Sequence, residues 1–410
     1  MKALPAFFIL LICLIFAGCN SSDQLHKGIW RAVLETSNGT EIPFNFELSG
    51  PDDSPTIHII NGKDRFKVEN ITRTADSLFV KLPLFDSEIR AKFSSDGLQG
   101  KWIKYLPNKH PAMKFSAEPG VEWRFFEEEN LTPEVDIQGR WSTIFKDPAG
   151  SDSTLAVGEF TYEGKKLTGT FLTSTGDYRF LEGTIRDNKV YLSTFDGSNA
   201  YLFTGTIKND RIVDGKFHSG LTSIENWQAE KDQNASLPDA YSLTKLKPGE
   251  NRISFTFPDL EGNKVSLSDP RFRNKVVIIQ FLGSWCPNCM DETAFLAPFY
   301  REYKTKGVEI VGLAYERSSD FQTAKTRVQQ LKQRFNIGYP LLVTGFTNKE
   351  VLKSMPSLNE FKAFPTTIII DKKGLVRTIH TGFSGPGTGK HYTDLTAEFE
   401  KRIQLLLKEG

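Results

Sequence analysis

Val276-Val277-Ile278-Ile279-Gln280-Phe281 runs into Gly283-Ser284-Trp285-Cys286-Pro287-Asn288-Cys289, and this junction decides how the chain folds. The first stretch is apolar except at Gln280, the pattern of a strand buried on both faces. A helical pattern follows from 290 to about 306, with Phe295, Leu296, Phe299 and Tyr303 at helical spacing. Cys286 therefore stands where a helix begins. Unsatisfied backbone N–H groups and the helix dipole favour a thiolate there, and the thiolate is the attacking species in thiol–disulfide exchange. Cys289 lies one turn later on the same face, placed to attack a mixed disulfide formed on Cys286. Pro287 suits the first helical turn, where a missing N–H costs nothing.

Working outward, apolar strands are expected at 308–314, 339–344 and 366–371, with helices at 320–335 and 394–407. Lys373-Gly374 makes a turn, and 375–380 pairs back. Alternating strands and helices imply a central sheet with helices packed on it. Five motifs stand in order: Phe257-Pro258-Asp259-Leu260, the Trp285 to Cys289 segment, Glu292, Gly307-Val308-Glu309-Ile310-Val311-Gly312, and Phe364-Pro365-Thr366-Thr367. This set resembles the TlpA/ResA branch of the thioredoxin superfamily, and implies an α/β thioredoxin fold over 251–410. The resemblance implies catalytic roles for Cys286, Cys289, Glu292 and Pro365, with Pro365 the cis-proline facing the cysteines. It places Trp285, Phe364 and Thr366 at the substrate, and makes Cys286–Cys289 a redox-active disulfide. The plainer readings are a trans-proline opening a strand at Pro365 and a solvated helix-face carboxylate at Glu292. One departure matters: family members commonly carry proline just before the second cysteine, whereas here Pro287 follows the first and Asn288 stands second. The intervening residues help set the leaving tendency of each thiol, so the direction of electron flow stays open.

The N-terminus has the form of an export signal. Lys2 supplies a positive charge, and 4–17 is an apolar stretch too short to span a bilayer comfortably. It ends in Phe16-Ala17-Gly18-Cys19, which resembles the lipobox of bacterial lipoproteins, with Phe16 where leucine is usual. The resemblance implies a signal peptide over 1–18, lipidation of Cys19, and a tether over 19–27. An ordinary secretory signal with a chance cysteine is the alternative. The chain has four cysteines, and Cys13 leaves with the signal. An exported chain whose remaining pair is Cys286 and Cys289 has no structural disulfide framework, so the pair is expected to be used.

Between tether and redox region the pattern is all-β. Apolar and polar residues alternate in Phe44-Asn45-Phe46-Glu47-Leu48 and in Lys189-Val190-Tyr191-Leu192, with turn signals such as Asn61-Gly62 and Asp187-Asn188. The region is duplicated: Gly28-Ile29-Trp30-Arg31 matches Gly139-Arg140-Trp141-Ser142, Gly100-Lys101-Trp102 matches Gly215-Lys216-Phe217, and Ala117-Glu118 matches Ala229-Glu230. We expect an N-terminal tandem repeat, barrel or sandwich, with one β repeat over 28–127 and a second over 139–231. Gly-x-Trp resembles the first strand of lipocalin-like barrels; a tryptophan plugging the core is the plainer account. Residues 232–250 are polar and read as a linker, and 382–390, rich in glycine, as a mobile loop bordering the substrate groove.

With 51 basic and 50 acidic residues, the chain carries no electrostatic footprint for nucleic acid. The six histidines are scattered and no second cysteine pair completes a metal site, so neither metal nor cofactor is expected. The expected function is that of an exported, lipid-anchored reductase of the bacterial cell envelope, facing the periplasm. Its expected partners are a disulfide-bearing protein substrate, a membrane electron donor of the thiol-relay type, and the bilayer through Cys19. A peroxiredoxin-like peroxidase and a binding module built on the β repeats are the alternatives.

Overall fold

The computed structural model describes residues 25–106, 108–127, 135–163 and 166–409. The export signal, Cys13 and Cys19 lie outside the described residues. Among the described residues, no helix is long and apolar enough to cross a membrane.

The redox region is built on a five-stranded sheet in the order Leu341–Thr347, Val308–Glu316, Val276–Leu282, Thr366–Ile370, Val376–Thr381. The first three run parallel and the last two antiparallel. Every residue of the central strand Val276–Leu282 is buried. Side chains alternate between faces. Val276, Ile278 and Leu282 join one core, with helices α1 (Pro287–Tyr303), α2 (Phe321–Arg334) and α4 (Lys390–Lys408). Val277, Ile279 and Phe281 join the opposite core, closed by the short helix α3 (Val351–Ser354) and the segment carrying Ile253, Phe255 and Phe257. Asp320 caps α2, accepting from the Thr323 N–H at 2.8 Å. α4 begins four residues before the apolar pattern at 394, because Tyr392 packs on Phe383 and starts the turn.

The all-β region forms two nine-stranded antiparallel sheets. In the first, which runs from Gly28–Glu35 to Ala112–Pro119, the first strand pairs with the last. In the second, from Gly139–Lys146 to Ser223–Lys231, the first strand again pairs with the last, and pairing of Ser153–Glu163 with Lys166–Thr173 closes the sheet into a barrel. The duplication is visible at the level of register. Trp30 stands opposite Pro119 and Ala32 opposite Ala117; Trp141 stands opposite Lys231 and Thr143 opposite Ala229. Trp30 Nε1 donates to the His26 carbonyl at 3.0 Å, and Trp141 Nε1 to the Ile137 carbonyl at 2.8 Å. Both rings are buried, so each tryptophan plugs a core and satisfies its one donor locally. Phe145, Phe171, Phe203, Phe217 and Trp227 fill the second interior, with Phe203 and Phe217 stacked at 4.3 Å.

The units interlock. Arg124, buried between the sheets, donates to the Ile60 carbonyl at 2.6 Å, the Ser193 carbonyl at 3.1 Å and Asn45 Oδ1 at 3.3 Å, and lies 3.6 Å from Glu182. Burial raises the Glu182 carboxyl, and Arg124 and Lys166 outweigh it, holding the group below its ordinary value. Leu84 and Phe85, in the turn between strands Ser77–Leu82 and Ser87–Ser94 of the first sheet, join the core of the redox region. Residues 232–250 are not a free linker: Lys245–Leu246 pairs with Leu358–Glu360, and the Thr381 hydroxyl donates to Thr244 at 2.7 Å.

Candidate active site

The central strand delivers the chain into Cys286, which caps α1; its Sγ accepts from the Cys289 N–H at 3.3 Å. The two sulfurs lie 2.6 Å apart, one helical turn from each other and within reach for exchange. Cys286 is 6% exposed and Cys289 1%. Burial pushes the Cys289 thiol well up; the hydrogen bond to Cys286 and the nearby Glu292 charge add to it. The geometry thus separates an outer sulfur at the helix terminus from an inner sulfur that holds its proton.

The Phe364–Pro365 peptide is cis, as the family pattern implies. It brings the Phe364 carbonyl to 3.8 Å from Cys286 Sγ. Trp285 packs edge-on against Phe364 at 5.6 Å and anchors its Nε1 on the Tyr315 carbonyl at 3.0 Å. Thr366 lies beside the cis-proline but does not present its hydroxyl to substrate: it is buried, and its hydroxyl turns back to the Ala363 carbonyl at 2.7 Å.

Glu292 is buried, not a solvated helix-face carboxylate. It accepts from Thr367 Oγ1 at 2.6 Å and Gln280 Nε2 at 2.9 Å. Burial still pushes its pKa up to about 7. Gln280, the polar break in the apolar strand, is held from the other side by the Tyr339 hydroxyl at 3.1 Å. That single polar residue was the legible signal for a buried network under the cysteines. Glu316 was not foreseen; it accepts from the Ser284 N–H at 2.8 Å and hydroxyl at 2.7 Å, fixing the loop before Cys286.

The second barrel seals one side of the site. Asp291, next to Glu292 on α1, meets Arg179 of the barrel at 3.1 Å. Burial lifts Asp291 to about 7 despite Arg179. Burial pulls the Arg179 guanidinium down, but Asp291, Asp196, Asp64 and Asp177 outweigh it and hold the group above its ordinary value. Asn288 donates to the Asp177 carbonyl at 3.3 Å, and Gly385 N–H donates to the Asp177 carboxylate at 2.7 Å. The glycine-rich segment 382–390 therefore packs on the barrel at Gly382, Gly385 and Gly387. A Cβ on Gly387 would stand 2.8 Å from the Arg179 backbone, and Gly382 adopts φ +82° against Thr175. Among the described residues, no group of three or more His, Cys, Asp or Glu side chains is placed to hold a metal.

A buried cysteine pair at a strand-to-helix junction, facing a cis-proline on a five-stranded mixed sheet, defines a thioredoxin-fold redox centre. A family model described as the AhpC/TSA family matches residues 248–379. The thiol-disulfide oxidoreductase ResA of Bacillus thuringiensis subsp. konkukian is 30% identical over 132 residues, covering 32% of this chain and 68% of that protein. ResA of Geobacillus kaustophilus is 30% identical over 141 residues, covering 34% of this chain and 72% of the relative. Among solved structures, a putative thiol:disulfide interchange protein DsbE from Chlorobium tepidum aligns at 21% identity with a TM-score of 0.31, covering 40% of this chain and 99% of that one. The chain belongs to the ResA-like thiol–disulfide oxidoreductases of the thioredoxin superfamily and is an oxidoreductase.

Proposed function

We propose that this protein is a lipid-anchored, exported reductase of protein disulfides that works through Cys286 and Cys289. The observation that carries the reading is the asymmetry of the pair. Cys286 Sγ caps a helix beside the Phe364 carbonyl, while Cys289 is enclosed and holds its proton. Cys286 thiolate attacks one sulfur of the substrate disulfide, the substrate bond breaks, and the departing thiolate takes up a proton. Cys289 loses its proton and attacks the Cys286 sulfur, releasing the second substrate thiol and leaving the Cys286–Cys289 disulfide. Two electrons pass to the substrate, and a membrane electron donor of the thiol-relay type resets the pair. Glu292 tunes the inner thiol, Pro365 holds the Phe364 backbone against the incoming chain, and Trp285 limits solvent. Thr366 supports this loop through Ala363. The lipobox-like sequence ending at Cys19 supports anchoring in the envelope, facing the periplasm. We read the units as β repeats at 28–127 and 139–231, and a redox domain at 251–410.

The test is thiol trapping of the mature chain across a graded redox buffer. A two-electron transition near or below about −250 mV places it among reductants of the thioredoxin kind, and one near about −120 mV makes it an oxidant. If no Cys286–Cys289 disulfide forms at any poise, the reading fails. The AhpC/TSA match favours a second reading, peroxide reduction. Hydrogen peroxide consumption that survives Cys289→Ser would establish it.

A further inference from the structure

The second barrel does more than cover the redox face. A cavity of about 400 Å³ lies between them, with Thr175, Tyr178 and Tyr201 on the barrel side and Trp285, Arg317 and Phe364 on the other. Its volume is in the range of ligand sites, and Pro287, which follows Cys286, also lines it. Arg317 follows the strand Val308–Glu316, and its guanidinium lies 5.1 Å over the Trp285 ring. Among the described residues it makes no ion pair, because the carboxylates nearest to it are engaged. Glu316 is buried on Ser284, and Asp86 pairs with Arg327. A second cation, Lys104 of the first sheet, bonds the Ser198 carbonyl at 2.5 Å, and Ser198 lines the same cavity. Arg179 is spoken for by Asp291. Two carboxylates also line it, but Asp177 accepts from the Arg179 and Gly385 N–H groups and Asp196 from the Ser198 and Asn199 N–H groups, so the cavity offers hydroxyl-rich walls, aromatic faces, and one guanidinium free to donate to a carboxylate.

Resting on the oxidoreductase reading, we propose that this seam is the substrate site, and that it selects an extended, acidic peptide segment carrying the disulfide, with Arg317 binding a carboxylate beside the substrate cysteine. The barrel is then the second wall of the active site. A folded surface does not fit a cleft of this size, whereas an extended strand of substrate does. The exchange step is the one given above; Arg317 takes no part in bond making and acts as a substrate-binding residue.

The experiment uses the full mature chain, reduced beforehand, with two short disulfide-bridged peptides that differ only in glutamate or lysine beside the cysteines. KM is expected to be lower for the glutamate peptide. R317Q is expected to raise that KM about tenfold with kcat held, and to lower the KM of the lysine peptide by relieving like-charge repulsion. Thr154 is exposed and lines the cavity, so T154W is expected to raise KM for the glutamate peptide without unfolding the barrel. Equal KM for both peptides, an R317Q loss shared equally by both, or a harmless T154W overturns the site. If the reduced chain reduces neither peptide, the oxidoreductase reading fails instead. Calorimetric binding of the glutamate peptide with serine for cysteine then decides the site: binding weakened about tenfold by R317Q supports it, and no binding overturns it.

Discussion

Glu292→Gln isolates the cost of keeping a carboxyl under the redox pair. Its pKa rises from 4.5 to about 7, with burial the dominant cause and the bonds from Thr367 and Gln280 opposing it. Because the folded value lies above the unfolded one, the native state holds a proton that the unfolded state has released. Stability therefore falls as pH rises through the window from 4.5 to about 7. At about 1.36 kcal/mol per pH unit, that span comes to about 3 kcal/mol. Glutamine removes the ionisation but not the shape. Urea unfolding of the reduced chain, followed at pH 5 and pH 8, should show the parent losing about 2.5 kcal/mol more than the variant, since part of the span is already lost at pH 5. Asp291 also rises to about 7, but it titrates in both proteins and cancels in the difference. At pH 5 the variant should be equal or weaker, since a second amide now faces the Gln280 amide. Identical pH slopes for parent and variant would refute the claim that Glu292 is a desolvated carboxyl.

Arg179→Ala strips the partner from a largely buried carboxylate and should cost about 3 kcal/mol at pH 8, less at pH 5 where Asp291 is protonated; urea midpoints at the two pH values check both. Gly387→Val drives a side chain into the Arg179 backbone, so it should loosen the barrel from the redox face and speed alkylation of Cys286 severalfold; an unchanged rate would mean that the seam does not limit access. Cys289→Ser should leave Cys286 able to attack but unable to be released, so a mixed disulfide with substrate accumulates on non-reducing gels. Trp141→Ala empties a fully buried site in the second barrel and should cost about 3–5 kcal/mol, read as a fall in the barrel's unfolding midpoint.

Periodicity made the redox sheet legible because its strands are buried on both faces and read as apolar runs, and its helices carry a one-sided stripe. The β duplication was legible because a large aromatic at one register position is hard to replace, so Trp30 and Trp141 mark the same strand twice. Glu292 and Gln280 illustrate the limit. Glu292 looks like an ordinary helix carboxylate in sequence and Gln280 stands out only as a polar break in an apolar strand, and only the packing of α1 on that strand makes them a buried hydrogen-bonded pair.

The amino-acid sequence by itself determined the fold class of the redox region and the position of the cysteine pair at a strand-to-helix junction. These are local properties, set by residue spacing and by hydrophobic period. Tertiary structure alone decided that Asp177 and Arg179 pack against α1 beside the cysteines, that Arg317 lies over Trp285, that the Thr366 hydroxyl turns back to Ala363, and that 382–390 packs on the barrel. The barrel contacts among these join residues more than a hundred apart in the chain, as between Arg179 and Asp291, and polar residues carry no periodic signal of the partner they will meet.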